Sequence, residues 1–282
     1  MENSKNLINA PKRALTIAGA ESGGTAGIQA DLKTFQELEV YGMSVITAIV
    51  GRHPVTDKNV HPMDVEAIEA QFHTAMSRVG VDGMKTGMLF SIEVIEAVAR
   101  LLKDQSIKNL VVDPVMVGKL DSKLLKDDAI EALKTYIFPL AELITPNMTE
   151  GSILLNNRSI RSVDDMKKAA IDLYKAHRVK ILLKGGRLKG PAVDILYDGS
   201  NMTFFEAPRI DTRNTSGAGC SYSAAIAAYL AKGEAVDEAV YKAKQFVTTA
   251  IHASYTYSDN PGPINHIVAG KGKHPIVVKR YS

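Results

Sequence analysis

Short apolar runs separated by longer stretches of helical periodicity recur along most of this chain, and few folds accept that order. ALTIA (Ala14 to Ala18), SVITAIV (Ser44 to Val50), LVVDPV (Leu110 to Val115), ELIT (Glu142 to Thr145), KILLK (Lys180 to Lys184) and VDILYD (Val193 to Asp198) read as strands, mostly buried. Between them Val65, Ile68, Phe72, Ala75, Met76 and Val79 fall three and four residues apart, as do Ile92, Ile95, Val98, Ala99 and Leu102, which predicts amphipathic helices. Ser162 followed by Asp165 resembles an acidic capping box opening a helix through Met166, Ala169, Ala170 and Leu173. Strand followed by helix, repeated this often, predicts an α/β fold with a mainly parallel sheet between helices on both faces. Ligands in such folds bind beyond the carboxyl ends of the strands.

The chain's 282 residues are within reach of one large α/β domain, and no Pro/Ser linker or fixed-period repeat divides them. The expected domain is 13–267, with loose tails at 1–12 and 268–282, the second reading as a solvated basic segment. Its 34 basic and 31 acidic side chains are too balanced for a nucleic-acid footprint, although some basic groups can meet small anions. A single cysteine excludes an intrachain disulfide framework and any metal site of several thiolates, and fits a cytoplasmic protein. MENSKNLINAPKR has no secretory pattern, and no run of about 18 apolar residues could cross a membrane.

The one cysteine, Cys220, stands directly behind Ser216-Gly217-Ala218-Gly219, at the head of a small-residue helix pattern. Paired glycines let a backbone turn tightly and approach a ligand, and a helix start offers free N–H groups to an anion. A thiol there is expected to be acidified, so that its thiolate can either accept a proton or act as a nucleophile near neutrality. The bland alternative is a turn before a packed helix with a small buried hydrophobe.

A second glycine-rich segment, AGAESGGTAGIQADLKTF from Ala18 to Phe35, follows the first strand. It lacks the Gly-Lys-Ser/Thr of a Walker A loop and the Gly-x-Gly-x-x-Gly dinucleotide spacing, which disfavours a nicotinamide enzyme. Asp113, Asn147, Glu150 and Lys184 come from expected strand ends. Together they supply hard oxygen ligands for a water-rich Mg²⁺ site and a cation for phosphate, a combination that points to a nucleotide.

LTIAG, GIQADLKTFQEL, YGMSVITAIV, VDGMKTGML, VVDPVMV, LITPN, ILLKGG, NTSGAGCSYSAAIAAYLA and the closing GPINH resemble, in this order, the hydroxymethylpyrimidine kinase and bacterial pyridoxal kinase family of the ribokinase-like superfamily. The resemblance covers roughly residues 14 to 266. It implies a three-layer α/β/α kinase that uses ATP with Mg²⁺, and possible help from a monovalent cation, to phosphorylate the hydroxymethyl group of a small heteroaromatic vitamin precursor. It also implies a homodimer. By the same resemblance Gly217, Ala218, Gly219 and Cys220 form an anion hole, with Cys220 where sugar kinases place an aspartate base. Asn147, Asp113 and Glu150 attend Mg²⁺, mostly through water, and Lys184, Asn147, Asp113 and Thr215 attend ATP. Gly19, Asp31, Arg52, Met88 and Val115 fall on the substrate side, and MVGKLDSK (Met116 to Lys123) resembles a lid that Gly118 allows to bend.

Departures from the family pattern bear on the substrate. Pyrimidine kinases carry Gln or Glu, an acceptor, where this chain has Arg52, which can only donate. The usual Ala-Gly-Ser-Asp is Ala18-Gly19-Ala20-Glu21, and a second cysteine carried in the lid by some pyridoxal kinases is Gly118. Ala218 resembles the pyridoxal kinases, since pyrimidine kinases place Thr there. The reading is a pyridoxal/pyridoxine kinase; alternatives are a hydroxymethylpyrimidine/phosphomethylpyrimidine kinase and a non-catalytic vitamin-binding homologue.

Overall fold

The structure is a computed structural model that describes residues 10–51, 55, 59–105, 107–118, 125–267 and 274–281. Its strands are β1 (Arg13–Glu21), β2 (Tyr41–Val50), β3 (Val60–Pro62), β4 (Gly83–Thr86), β5 (Leu110–Val112), β6 (Leu143–Ile144), β7 (Lys180–Lys184), β8 (Ala192–Tyr197), β9 (Met202–Ala207) and β10 (Val277–Tyr281). They form one 10-stranded sheet in the order β10-β9-β8-β7-β6-β5-β4-β1-β2-β3. The central strands β7, β6, β5, β4, β1 and β2 run parallel, and antiparallel strands flank them on both sides. The mainly parallel α/β sheet is as expected.

The helices are α1 (Gly27–Glu37), α2 (Val65–Arg78), α3 (Ile92–Asp104), α4 (Asp127–Ala132), α5 (Met148–Leu154), α6 (Val163–His177), α7 (Ala218–Ala231) and α8 (Val236–His252). Ser162 caps α6, and the Asp165 side chain accepts from its backbone N–H, which closes the expected box. The apolar stripes of α2, α3 and α6 pack with alternate residues of the central strands, such as Leu15, Ile17, Met84 and Val112, in one core cluster. α7 and α8 build another cluster with Val111, Leu143, Leu182 and Phe205. Alternation of side chains across each strand sends neighbouring residues into different layers.

α7 is apolar on nearly every side, with Ala224, Ala225, Ala227 and Ala228 wholly buried. Its alanines allow very close packing on β4: a Cβ on Gly83 would meet the Ala227 carbonyl oxygen at 2.8 Å. α8 is tied to the sheet by charge. Lys244 Nζ lies 2.6 Å from Asp194 Oδ2 on β8, both side chains almost entirely buried, and Asp194 Oδ1 accepts from the Gly185 N–H at 3.0 Å.

The C-terminal segment corrects the sequence reading. Residues 277–281, expected within a solvated tail, pair antiparallel with β9 as an edge strand. Their basic residues have acidic partners, Lys279 with Glu206 at 2.8 Å and Arg280 with Asp237 at 3.1 Å, and Tyr281 meets the Phe204 ring edge-on. Partnered charges cap an edge that would otherwise attract another strand.

Removing Lys244 leaves Asp194 buried without its counter-charge, so Lys244→Met is expected to lower the unfolding free energy by about 3–5 kcal/mol. Asp194→Asn/Lys244→Met should recover most of it. Urea unfolding followed by circular dichroism measures both, and an unchanged single variant would show that the pair does not hold α8 in place.

Candidate active site

The carboxyl ends of β1, β4, β5, β6 and β7 converge on one edge of the sheet, and the chain leaves each through a loop carrying polar or small residues. Asp113 follows β5, its N–H donating to the Thr86 carbonyl at 3.0 Å. The carboxylate is buried and fully engaged: Oδ1 accepts from Lys184 Nζ at 2.7 Å and Thr145 Oγ1 at 3.2 Å, and Oδ2 from Ser223 Oγ at 3.1 Å. Three strands and α7 are thereby joined at one carboxylate. Burial works against the Lys184 ammonium, but Asp113 and Glu150 outweigh it and raise its pKa, so it stays cationic.

Asn147 is the N-cap of α5, and Glu150 closes a capping box: Asn147 Oδ1 accepts from the Glu150 N–H at 3.0 Å, and Glu150 Oε2 from the Asn147 N–H at 2.8 Å. This reciprocal pair fixes both side chains beside Lys184, whose N–H donates to Pro146 at 2.9 Å. Burial, reinforced by the Asp113 carboxylate, pushes the Glu150 carboxyl up to about 7. Two carboxylates that repel one another in a dry setting suit a divalent cation, as does this set of hard oxygens. Among the described residues no three His, Cys, Asp or Glu side chains form a ready-made cage.

The Gly217 turn is locked against the first glycine-rich loop. Gly217 has φ +81°, and a Cβ there would sit 1.9 Å from the Thr25 carbonyl oxygen, so only glycine fits. Ser216 pairs with Pro263 of the GPINH segment, through its N–H to the Gly262 carbonyl and its carbonyl to the Ile264 N–H. α7 begins at Ala218 without a side-chain cap, which leaves the first-turn amides of exposed Gly219 and partly buried Cys220 available to an anion. Gly219 sits beside Lys184, a Cβ on it falling 3.7 Å from Nζ. Thr215, also exposed, accepts from the Ala218 N–H at 3.2 Å.

Cys220 departs from expectation. Burial pushes its thiol above the ordinary value, with Asp31 and Asp113 acting the same way and Lys85 and the Gly27 N–H opposing them. The helix start does not prevail because the sulfur is enclosed and two carboxylates lie near it.

On the other side of the turn Gly19 lies at a register shift in β1, and a Cβ there would come 2.6 Å from the Met88 Sδ-methyl carbon. Met88 is buried, its carbonyl accepting from Thr47 Oγ1 at 2.7 Å, and Val115 is half-buried beside Asp113. Asp31 is not on the cleft wall: it is fully buried, with Oδ2 accepting from Thr16 Oγ1 at 2.6 Å and both oxygens bound by Lys85. Arg52 lies outside the described residues, as does most of the lid segment. Sequence reasoning missed Lys85, although a lysine inside the apolar strand GMKT is itself a signal, because a buried parallel strand tolerates a charge only with a dedicated partner. It also missed Arg209, whose guanidinium donates to the carbonyls of Gly186, Leu188 and Gly190 and pins the loop after Lys184.

Comparison with known proteins bears on this constellation. The family model described as phosphomethylpyrimidine kinase matches residues 21–265. The pyridoxine kinase of Bacillus subtilis is 46% identical over 258 residues, covering 90% of this chain and 95% of that protein. The hydroxymethylpyrimidine/phosphomethylpyrimidine kinase of the same organism is 40% identical over 256 residues, covering 90% and 94%. Pyridoxal kinase from Staphylococcus aureus in complex with AMP-PCP and pyridoxal superposes with a TM-score of 0.87 at 36% identity, covering 97% of this chain and 99% of that one. Match and fold run through every segment that builds the strand-end cluster, and the chain belongs to the phosphomethylpyrimidine kinase family.

Proposed function

We propose that this protein is an ATP-dependent kinase that phosphorylates the 5′-hydroxymethyl group of pyridoxal or pyridoxine. The observation that carries the reading is the convergence of Lys184, Asp113 and the glycine turn before Cys220 at one end of the parallel strands. A related kinase of the same fold binds AMP-PCP and pyridoxal together. Ala218 and the loss of the pyrimidine-contact acceptor at Arg52 favour a pyridine ring. The family description and the GPINH segment braced against Ser216 support the second reading, a hydroxymethylpyrimidine/phosphomethylpyrimidine kinase.

In this reading the substrate hydroxyl faces Cys220 Sγ, with Gly19, Met88 and Val115 around the ring and Asp31 behind them; Arg52 is assigned to the substrate side by the resemblance alone. Its oxygen forms a bond to the γ-phosphorus as the bridging P–O bond of ATP breaks; ADP leaves with that electron pair, and the hydroxyl proton passes to the Cys220 thiolate. The amides of Gly219 and Cys220 receive the charge that spreads over the transferring group, with Gly217 and Ala218 setting the turn. Lys184 neutralises the phosphates, and Thr215 lies on the nucleotide side. Asp113, Asn147 and Glu150 would hold Mg²⁺ and its waters, and the ion supplies further charge neutralisation at the phosphates. A monovalent cation and a homodimer belong to the same reading on the resemblance alone. Arg209 keeps the loop after Lys184 in place for the nucleotide.

Four outcomes are expected. With ATP and Mg²⁺, product mass should show a monophosphate from pyridoxal or pyridoxine; turnover confined to hydroxymethylpyrimidine and its monophosphate would select the second reading, and no transfer to any of them would sink both. Cys220→Ala should lower kcat by ~10²–10⁴-fold, the usual cost of losing a general base, with ATP affinity retained. Because the thiol is raised and must lose its proton to serve as base, wild-type kcat should climb with pH from neutrality into the alkaline range. Cys220→Asp, ionised throughout that range, should retain more activity than the alanine variant and give a flatter profile; identical slopes would remove the base role.

A further inference from the structure

The turn before α7 is walled on one side by Thr25 and gripped on the other by the closing GPINH segment, which carries one side-chain contact that the proposed reaction leaves without a task. The segment meets the turn in three places. Asn214 Oδ1 accepts from the Gly262 N–H at 2.7 Å. Ser216 exchanges backbone bonds with Gly262 and Ile264, and its Oγ donates to the Pro261 carbonyl at 3.0 Å. The third contact reaches into the helix itself: Ser221 Oγ and His266 Nε2 are hydrogen-bonded at 2.8 Å, with Ser221 0% and His266 6% exposed.

The first turn of α7 has few ways to be held. No side chain caps it at Gly217, Ala218 and Gly219 have no polar side chain, and the Cys220 thiol is taken up by the substrate in the kinase reading. Ser221 is left as the residue whose side chain can tie that turn to another element. Serine inside a helix often turns its hydroxyl back to a carbonyl three or four residues earlier, as Ser223 does to Cys220 at 3.0 Å and Gly219 at 3.3 Å. Ser221 instead reaches out to the ring.

The ring is anchored in turn. The Asn265 N–H donates to the Ala250 carbonyl near the end of α8 at 2.9 Å and the Tyr255 N–H to Pro263 at 3.0 Å, while a Cβ on Gly262 would meet the Tyr255 carbonyl oxygen at 1.8 Å. Burial, with Lys33 of α1 acting the same way, pushes His266 down to about 4, so the imidazole is neutral near neutrality and brings no charge to the turn. A neutral contact acts on the turn by fixing where it stands. Amides that receive developing charge are effective to the extent that they are fixed in advance.

We propose that His266 is a positioning residue for phosphoryl transfer: through Ser221 it holds the first turn of α7, and with it the Gly219 and Cys220 amides, where charge develops on the transferring group. The link to phosphoryl transfer rests on the kinase reading, whereas the hold on the turn does not.

The test uses the full chain and compares wild type with Ser221→Ala, His266→Ala, Ser221→Ala/His266→Ala and His266→Gln. Hydrogen exchange of the amides of residues 221–223 is read without substrate, and kcat and KM are read with ATP, Mg²⁺ and whichever vitamin precursor the wild type phosphorylates. Each alanine variant should exchange those amides about fivefold faster, the worth of one neutral hydrogen bond. Each should also lower kcat, by up to about 10²-fold if the reacting groups move by about 1 Å, with the ATP KM unchanged. The double variant should be no worse than either single one, and His266→Gln, whose amide can place a polar atom near the position of Nε2, should recover part of the loss. Ser221→Ala removes a single oxygen and keeps the test open if His266→Ala does not fold. Unchanged exchange overturns the hold on the turn. A lowered melting temperature with kcat per folded molecule unchanged, or losses that add in the double variant, makes the contact a packing pin and overturns the positioning role. Faster exchange in variants of a protein that phosphorylates neither pyridines nor pyrimidines sustains the hold on the turn and sinks the kinase reading.

Discussion

Charge buried at the strand ends is what the site is organised around. A parallel sheet covered on both faces has no water to offer an ion, and each unpaired charge there costs several kcal/mol. Asp113 with Lys184 and Asp31 with Lys85 meet that constraint by pairing across elements distant in sequence. The first pair stands at the strand ends with the Lys184 side chain 12% exposed, and the second is sealed with both side chains at 0%.

The backbone around these pairs is stiff for related reasons. Arg209 holds the loop after β7 by its carbonyls, Asp194 holds the Gly185 amide, and the Asn147–Glu150 box holds the start of α5. Phosphoryl transfer draws on fixed dipoles and charges more than on covalent participation by the protein. A set of loops restrained by hydrogen bonds to backbone groups provides such fixity without adding side chains to the cleft.

The fold was largely legible because its central strands are short apolar runs with sharp edges, and α2, α3 and α6 carry unbroken stripes. β4 and β9 were not, since GMKT holds a lysine and MTFFEA alternates polar residues with a short apolar centre directly after the β8 turn; β10 was hidden by its basic residues, which only the opposing Glu206 and Asp237 explain. In the site, residue types at strand ends pointed to Asp113, Asn147, Glu150 and Lys184, which the fold does bring to one edge. What sequence could not convey was enclosure. The resemblance puts Asp31 on the substrate side until Lys85 and Thr16 are seen to enclose it, and Cys220 reads as an acidified thiol until its carboxylate neighbours are counted.

The two glycine-rich loops are keyed to one another. Gly217 has no space for a side chain because the Thr25 carbonyl occupies it, while Gly27, with φ +59°, is closed off within the first loop by the Gly19 carbonyl. The loop after β1 and the turn before α7 therefore share a backbone clearance at Thr25. A substitution that shifts the Thr25 carbonyl moves the wall of the Gly217 turn with it, so the two loops are not modules that recombination among relatives could exchange one at a time: a chimera has to inherit both from the same parent.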